Sequence, residues 1–258
     1  KTLVVCSQSG RSPDALAAVE ALEPQRLIAL TNDPGSPLAA RADLAIALDA
    51  GIERAVPASK TVSATMAILL WGAALVGGAS DRGPRTLCET ADAIEIWLAG
   101  TTHDDAPGAP PSPLERAAER LALRHSVALV GAGYGVPLAR ELALKLKEAS
   151  YLHAEGFSAG EFRHGSAAIL DAGTALIGIV DEASRALVAR PLAEAEASET
   201  LRYTLGAELA GIERLGPVVG EAFNTLAWLV TGQMLALGVG RARGIDSDRP
   251  RGLHKLVE

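Results

Sequence analysis

Residues 143–165, ALKLKEASYLHAEGFSAGEFRHG, bring together three lysines or arginines, three glutamates and two histidines among small and apolar side chains. The whole chain is 48% hydrophobic and only 21% charged, so this is a local concentration of ionisable groups. A carboxylate and an imidazole beside one reacting centre move protons at neutral pH. Glu141, Lys145 and Glu148 are spaced by four and three, which puts them on one face of a helix expected over Val136–Ser150. Leu138, Leu142, Leu146 and Ala149 form a separate apolar stripe on that helix. A solvated Glu–Lys face, contributing about a few tenths of a kcal/mol, is the competing account of the triplet. His153, Glu155, Glu161 and His164 follow in a glycine-rich run and tip the balance toward an acid–base site. A metal site is disfavoured: His153 and Glu155 lie two apart, with no HExxH spacing.

A second constellation lies near the N-terminus. Ser7, Gln8, Ser9, Gly10, Arg11 and Ser12 join a predicted strand, Thr2–Cys6, to a predicted helix, Pro13–Leu22. Hydroxyls and free amides at a helix N-terminus suit a phosphate monoester. The stretch lacks the GK[ST] ending of a nucleotide-triphosphate loop. A plain polar turn with Ser12 as helix cap also fits. A third feature is the tail DSDRPRGLHKLVE, with Lys255 among Leu253, Leu256 and Val257. Such tails are usually frayed. A lysine partly buried there would instead be a candidate amine nucleophile toward a carbonyl.

The elements that carry these groups alternate. Strands are expected at Thr2–Cys6, Arg26–Leu30 and Asp43–Leu48, then helices at about Ser59–Gly77 and Pro84–Leu98. The apolar stretch Ala64–Gly78 is too short to span a membrane and reads as a buried helix. TTHDDAPGAPPSP (Thr101–Pro113) is the best linker, with four prolines and few apolar anchors. The pattern then restarts: helix Leu114–Leu123, strand Ser126–Gly131, a glycine loop, helix Val136–Ser150, strand Ala175–Val180, a helix near Glu182–Glu194, strand Thr200–Gly206, and a helix over about Val219–Gly240. This alternation implies an α/β protein with parallel sheets covered on both faces. The domain limits are set at 1–105 and 113–258. In such sheets ligands gather at the carboxyl ends of strands, where Ser7–Ser12 and Gly131–Gly135 both fall.

Bulk properties narrow the function classes. A net charge of −7, without a basic cluster, argues against nucleic acid or an anionic membrane as partner. The two cysteines, Cys6 and Cys88, fit no metal or redox motif and read as buried, reduced thiols of a cytoplasmic protein. The chain opens with Lys directly into a strand, as if its N-terminal portion were absent.

SQSGRSPD, ELALKLKEASYLHAEGFSAGEFRHG and DRPRGLHK together resemble, in this order, the motifs of the double sugar-isomerase (SIS) domain family. That family includes the isomerase half of glutamine–fructose-6-phosphate aminotransferase and the SIS-type glucosamine-6-phosphate deaminases. The resemblance runs from about residue 3 to 258. It implies two flavodoxin-like, three-layer αβα units, the first incomplete at its N-terminus. It implies a phosphosugar aldose–ketose isomerase acting on fructose 6-phosphate or glucosamine 6-phosphate, with no cofactor. Ser7, Gln8, Ser9, Gly10 and Ser12 would hold the phosphate, and Val56 and Ser59 of AVPASKT would line the sugar. Lys255 would form an imine with the open-chain ketose, and Glu148 would carry a proton between C1 and C2. His164 would assist ring opening from the neighbouring subunit of a homodimer, and Lys145 would stabilise charge near the sugar oxygens. The alternative within the family is a non-catalytic regulatory protein that binds a phosphosugar. SGRSPD and RPRGLHK are closer to the deaminase-like members than to the synthases.

Overall fold

A computed structural model describes residues 1–78, 83–101, 110–217, 219 and 223–253. The chain divides into two compact units, Lys1–Gly83 with Arg251–Glu258, and Pro84–Pro250.

In the first unit, β1 (Thr2–Cys6), β2 (Arg26–Thr31) and β3 (Leu44–Ala47) pair side by side in parallel, Leu3 against Leu27 and Ile28 against Leu44. Between them run α1 (Pro13–Leu22) and the short α2 (Pro37–Arg41), and α3 (Lys60–Val76) follows. Val19, Leu27, Ala29 and Leu38 form the core, with Leu3, Val5 and Leu16 against it. The sheet is not covered on both faces as the alternation suggests. β2 is well buried, but β1 and β3 flank it as edges, and Val4 and Leu44 are exposed. The expectation of buried thiols fails for the same reason at Cys6, whose side of β1 is open, and Cys88 is exposed as well. Nor is α3 a buried helix: among its described residues only Thr61 is buried, and Leu69, Trp71, Leu75 and Val76 are exposed. A helix apolar on all sides needs cover on all sides, and here residues 62–68 are only half-buried and the turns after them are largely open.

In the second unit, α4 (Gly83–Thr101) and α5 (Pro113–Ala122) precede a parallel sheet. Ser112 and Glu115 close a capping box at the start of α5. The sheet is ordered β5 (His153–Ser158), β4 (Ser126–Gly131), β6 (Thr174–Val180), β7 (Leu201–Gly206), β8 (Glu213–Leu215). Every residue of β6 is buried, as expected of a central parallel strand. Around the sheet lie α6 (Gly135–Ser150), α7 (Ala159–Arg163), α8 (Arg185–Glu194) and α9 (Asn224–Ala242).

The seating of α6 decides where the ionisable face points. A Cβ on Gly156 of β5 would overlap the backbone of Ala139 and Arg140, so helix and strand touch main chain to main chain. On the α9 side, Gly232 meets Leu142 and Gly240 meets the Ala149 carbonyl. The Ser247 hydroxyl also donates to that carbonyl at 2.9 Å. The apolar stripe Leu138, Leu142, Leu146 and Ala149 is buried, as its spacing predicts.

Candidate active site

The strand–loop–helix turn of the first unit is held open by its own hydrogen bonds. The Gly10 amide donates to the Ser7 carbonyl at 3.1 Å and to the Ser7 hydroxyl at 3.2 Å. The Arg11 amide donates to the Ser9 hydroxyl at 3.2 Å. Gly10 has φ +62, and a Cβ there would overlap the Ser36 hydroxyl, so the loop requires glycine for close packing within the protein. Ser12 occupies the N-cap position of α1, followed by Pro13, but its side chain makes no capping hydrogen bond. The simple capping role is therefore not used, and the hydroxyl stands at a helix N-terminus where an anion is favoured. Arg11 pairs with Asp33 at 2.8 Å across an exposed surface.

Neighbouring segments brace this loop. The Gln8 carbonyl accepts from the Asn32 amide at 2.9 Å and from the Thr31 hydroxyl at 3.2 Å. The Asn32 side chain donates to the Gly51 carbonyl at 2.7 Å and accepts from the Ala50 amide at 3.0 Å. The loop is thus tied through one asparagine to the strap that leads to Val56 and Ser59. Neither Asn32 nor the carboxylate at the start of the strap, Glu53, was singled out from the sequence.

In both sheets three successive strands lie in order, β1–β2–β3 and β6–β7–β8. The turn equivalent to the serine loop is Asp181–Ser184, where Asp181 accepts from the Ser184 amide at 2.6 Å and Glu182 pairs with Arg185 at 2.6 Å. Two carboxylates, Asp181 and Glu182, stand there and oppose an anion, whereas the serine loop carries none.

On α6 the ionisable triplet shares a face as its spacing requires. Lys145 is only 6% exposed, which rules out the solvated-face account. Its Nζ donates to Glu148 Oε2 at 2.7 Å and lies 3.6 Å from Glu141 Oε1. The carboxylates are more open, with side chains 21% and 27% exposed. An ammonium buried between two carboxylates is a strongly coupled arrangement.

The run after α6 does not converge as its sequence suggests. His153 and Glu155 face solvent on β5, which is an edge strand. His153 pairs with Ser126 at the start of β4, whereas Ser158 pairs with Gly131 at its end. Five strand steps, roughly 16 Å, separate His153 from the turn leading to His164. Glu161 serves α7 as its capping partner with Ser158; the Ser158 hydroxyl and amide outweigh the upward push of burial and, with a lesser contribution from Arg140, hold its carboxyl below the usual range. His164 is exposed at the C-cap of α7. Arg140, at 3.8 Å from Glu161, marks where α7 meets α6. Glu148 lies eight residues further on, about 12 Å along the axis. Lys255 and His254 lie outside the described residues. Among those residues, no group of three or more His, Cys, Asp or Glu is placed to hold a metal ion, and no helix is long and apolar enough to cross a membrane.

Parallel α/β units, one with a serine turn at a strand's carboxyl end and one with a Glu–Lys–Glu face on a helix against its sheet, define the class of fold. Residues 1–74 and 120–201 match the SIS domain model, and the chain belongs to the SIS domain family. It is 34% identical over 279 residues to the glutamine–fructose-6-phosphate aminotransferase (isomerizing) of Mycolicibacterium smegmatis, covering 99% of this chain and 43% of that protein. It is 33% identical over 275 residues to the enzyme of the same name from Thermococcus kodakarensis, covering 100% and 44%. The chain thus spans less than half the length of these relatives. The C-terminal domain of glucosamine-fructose-6-phosphate aminotransferase from Francisella tularensis has the same fold (TM-score 0.79, 22% identity, 96% of this chain and 72% of that one). Glucosamine-6-phosphate deaminase from Thermotoga maritima shares it too (TM-score 0.79, 22% identity, 99% and 75%).

Proposed function

We propose that the protein is a phosphosugar aldose–ketose isomerase acting on fructose 6-phosphate and glucosamine 6-phosphate, in the manner of the synthase isomerase half or of the deaminases. The observation that carries this reading is the Lys145 ammonium, buried and held at 2.7 Å from Glu148. An aldose–ketose shift needs one base that reaches both carbons and a cation that stabilises the charge developing between them. In this reading Ser7, Gln8, Ser9, Gly10 and Ser12 take the phosphate, and Val56 and Ser59 line the sugar. The Lys255 amine adds to the ketose C2 carbonyl and, with loss of water, gives an imine. In synthesis ammonia displaces the Lys255 amine from C2, leaving the ammonia-derived imine; Glu148 then removes a proton from C1 and returns it to C2, so that the C1 alcohol becomes the aldehyde and the C2 imine the amine, and deamination runs the same steps in reverse. Lys145 steadies the charge on the oxygens. His164 assists ring opening in the partner subunit of a homodimer; its exposure at the C-cap of α7 supports that assignment. The domain limits 1–105 and 113–258 and a cytoplasmic location belong to the same reading.

The test incubates the full chain with glucosamine 6-phosphate and follows ammonium and fructose 6-phosphate. Ammonium release without glutamine identifies a deaminase, and amination of fructose 6-phosphate identifies the synthetic direction. Binding of the sugar without turnover refutes the catalytic reading in favour of a regulatory one. Lys255→Ala should abolish turnover while leaving affinity for inorganic phosphate largely intact.

A further inference from the structure

The start of α3 is capped in an unusual way. Ser59 stands at its N-cap with φ −131, yet makes no side-chain capping bond to the helix. The free amides are met by a carboxylate from earlier in the chain. Glu53, 6% exposed, accepts from the Thr61 amide at 2.8 Å and the Ser59 amide at 3.1 Å. It also accepts from the Thr61 hydroxyl at 2.8 Å and the Ser59 hydroxyl at 3.3 Å. Burial pushes the Glu53 carboxyl up, but the donors of Thr61 and Ser59 outweigh it and keep the group below its ordinary range. The segment 54–58, which includes Val56, becomes a closed strap. Lys60, whose Nζ donates to the Ile52 carbonyl at 2.7 Å, closes it a second time, and the Asn32 bonds to Ala50 and Gly51 fix the chain leading into it. With its one hydrogen directed at Glu53, the Ser59 hydroxyl can meet a sugar hydroxyl only as an acceptor.

We propose that Glu53 is a positioning residue for sugar recognition: it fixes the strap and orients Ser59 as the acceptor for a hydroxyl of a hexose 6-phosphate, an assignment that rests on the functional reading above. Asn32 ties that strap to the serine loop, so phosphate and sugar recognition are built on one braced surface of the first unit. Removing Glu53 disturbs the sugar end and spares the phosphate end.

The experiment titrates fructose 6-phosphate and inorganic phosphate into the full chain and its variants, with steady-state kinetics alongside. Glu53→Gln replaces one acceptor oxygen by a donor amide that faces the same donors. It should weaken fructose 6-phosphate about tenfold in Kd and KM, change kcat far less, and leave the phosphate Kd within about twofold. Glu53→Asp, which keeps the charge, should recover part of the loss. A folded Glu53→Gln protein with unchanged sugar affinity overturns the proposal. So does an equal loss for both ligands, which would mean that the whole unit has been disturbed. If Glu53→Gln does not fold, Thr61→Val removes one of the four donors; it should weaken the sugar about threefold, and no change overturns the assignment. A wild-type chain that binds phosphate but no hexose 6-phosphate overturns the functional reading itself, an outcome distinct from a binding wild type with an indifferent Glu53.

Discussion

Replacing Lys145 by methionine tests the buried ion cluster. The substitution keeps most of the aliphatic stem and deletes the ammonium that lies 2.7 Å from Glu148 and 3.6 Å from Glu141. Removing one partner of a fully buried pair costs about 3–5 kcal/mol. Here the carboxylates retain 21% and 27% exposure, and water reaches them, so the expected loss is about 2–3 kcal/mol. For a chain of this size that lowers Tm by roughly 5–10 °C. The assay is calorimetric melting of the wild type, Lys145→Met, and the triple variant Glu141→Gln/Lys145→Met/Glu148→Gln. The triple variant has no unpaired charge in the cluster and should recover at least about half of the lost Tm, a non-additive result. A fall of less than about 1 °C for Lys145→Met, or a triple variant below the single one, would refute the claim that the buried ammonium is held by its two carboxylate partners.

Glu148→Gln keeps a hydrogen-bond acceptor for Lys145 but cannot shuttle a proton; turnover should fall by at least about 10²-fold while inhibition by inorganic phosphate is unchanged, as measured by initial rates. Gly10→Ala places a Cβ against Ser36 in a left-handed conformation, so it should cost about 1–3 kcal/mol in thermal melts and raise the Ki of inorganic phosphate. Because Glu53 is held below its ordinary pKa of 4.5, its stabilisation is present above that value and is lost as pH falls through its folded-state pKa. The Tm gap between wild type and Glu53→Gln should therefore be full at neutral pH and close below about pH 4.5, which melts across pH 3–7 measure.

Where periodicity was strong, the sequence was sufficient. β1, α1 and β4 fall where the apolar runs and the Ser-Pro-Asp start signal place them. The Glu141–Lys145–Glu148 face needed only the spacing of a helix. β5 was hidden because its alternation, His153 out and Ala154 in, is carried by charged, small and glycine residues typical of a loop. α2 is a single turn announced by Ser36-Pro37, a signal that also occurs in turn-rich segments. Glu53 and Asn32 were invisible for a different reason. A capping box reads three residues ahead, whereas Glu53 caps across six and eight, and Asn32 braces across eighteen and nineteen. No local pattern encodes a partner at that separation. The burial of Lys145 was equally illegible, because the spacing that buries it is the spacing that would solvate it.

The glycines that grip α6 have a consequence for sequence drift. Gly156, Gly232 and Gly240 each fill a gap too narrow for a methyl group, and none of them touches the ionisable face. An alanine at Gly156 or Gly240 meets the backbone of α6 and must tilt or slide the helix, and Glu148 moves with it; at Gly232 it must displace the buried Leu142 side chain. Tolerance to substitution in this chain should therefore be lowest at positions devoid of functional groups, and a lineage that loses Gly156 or Gly240 would lose the carboxylate's aim while every reactive side chain is still in place.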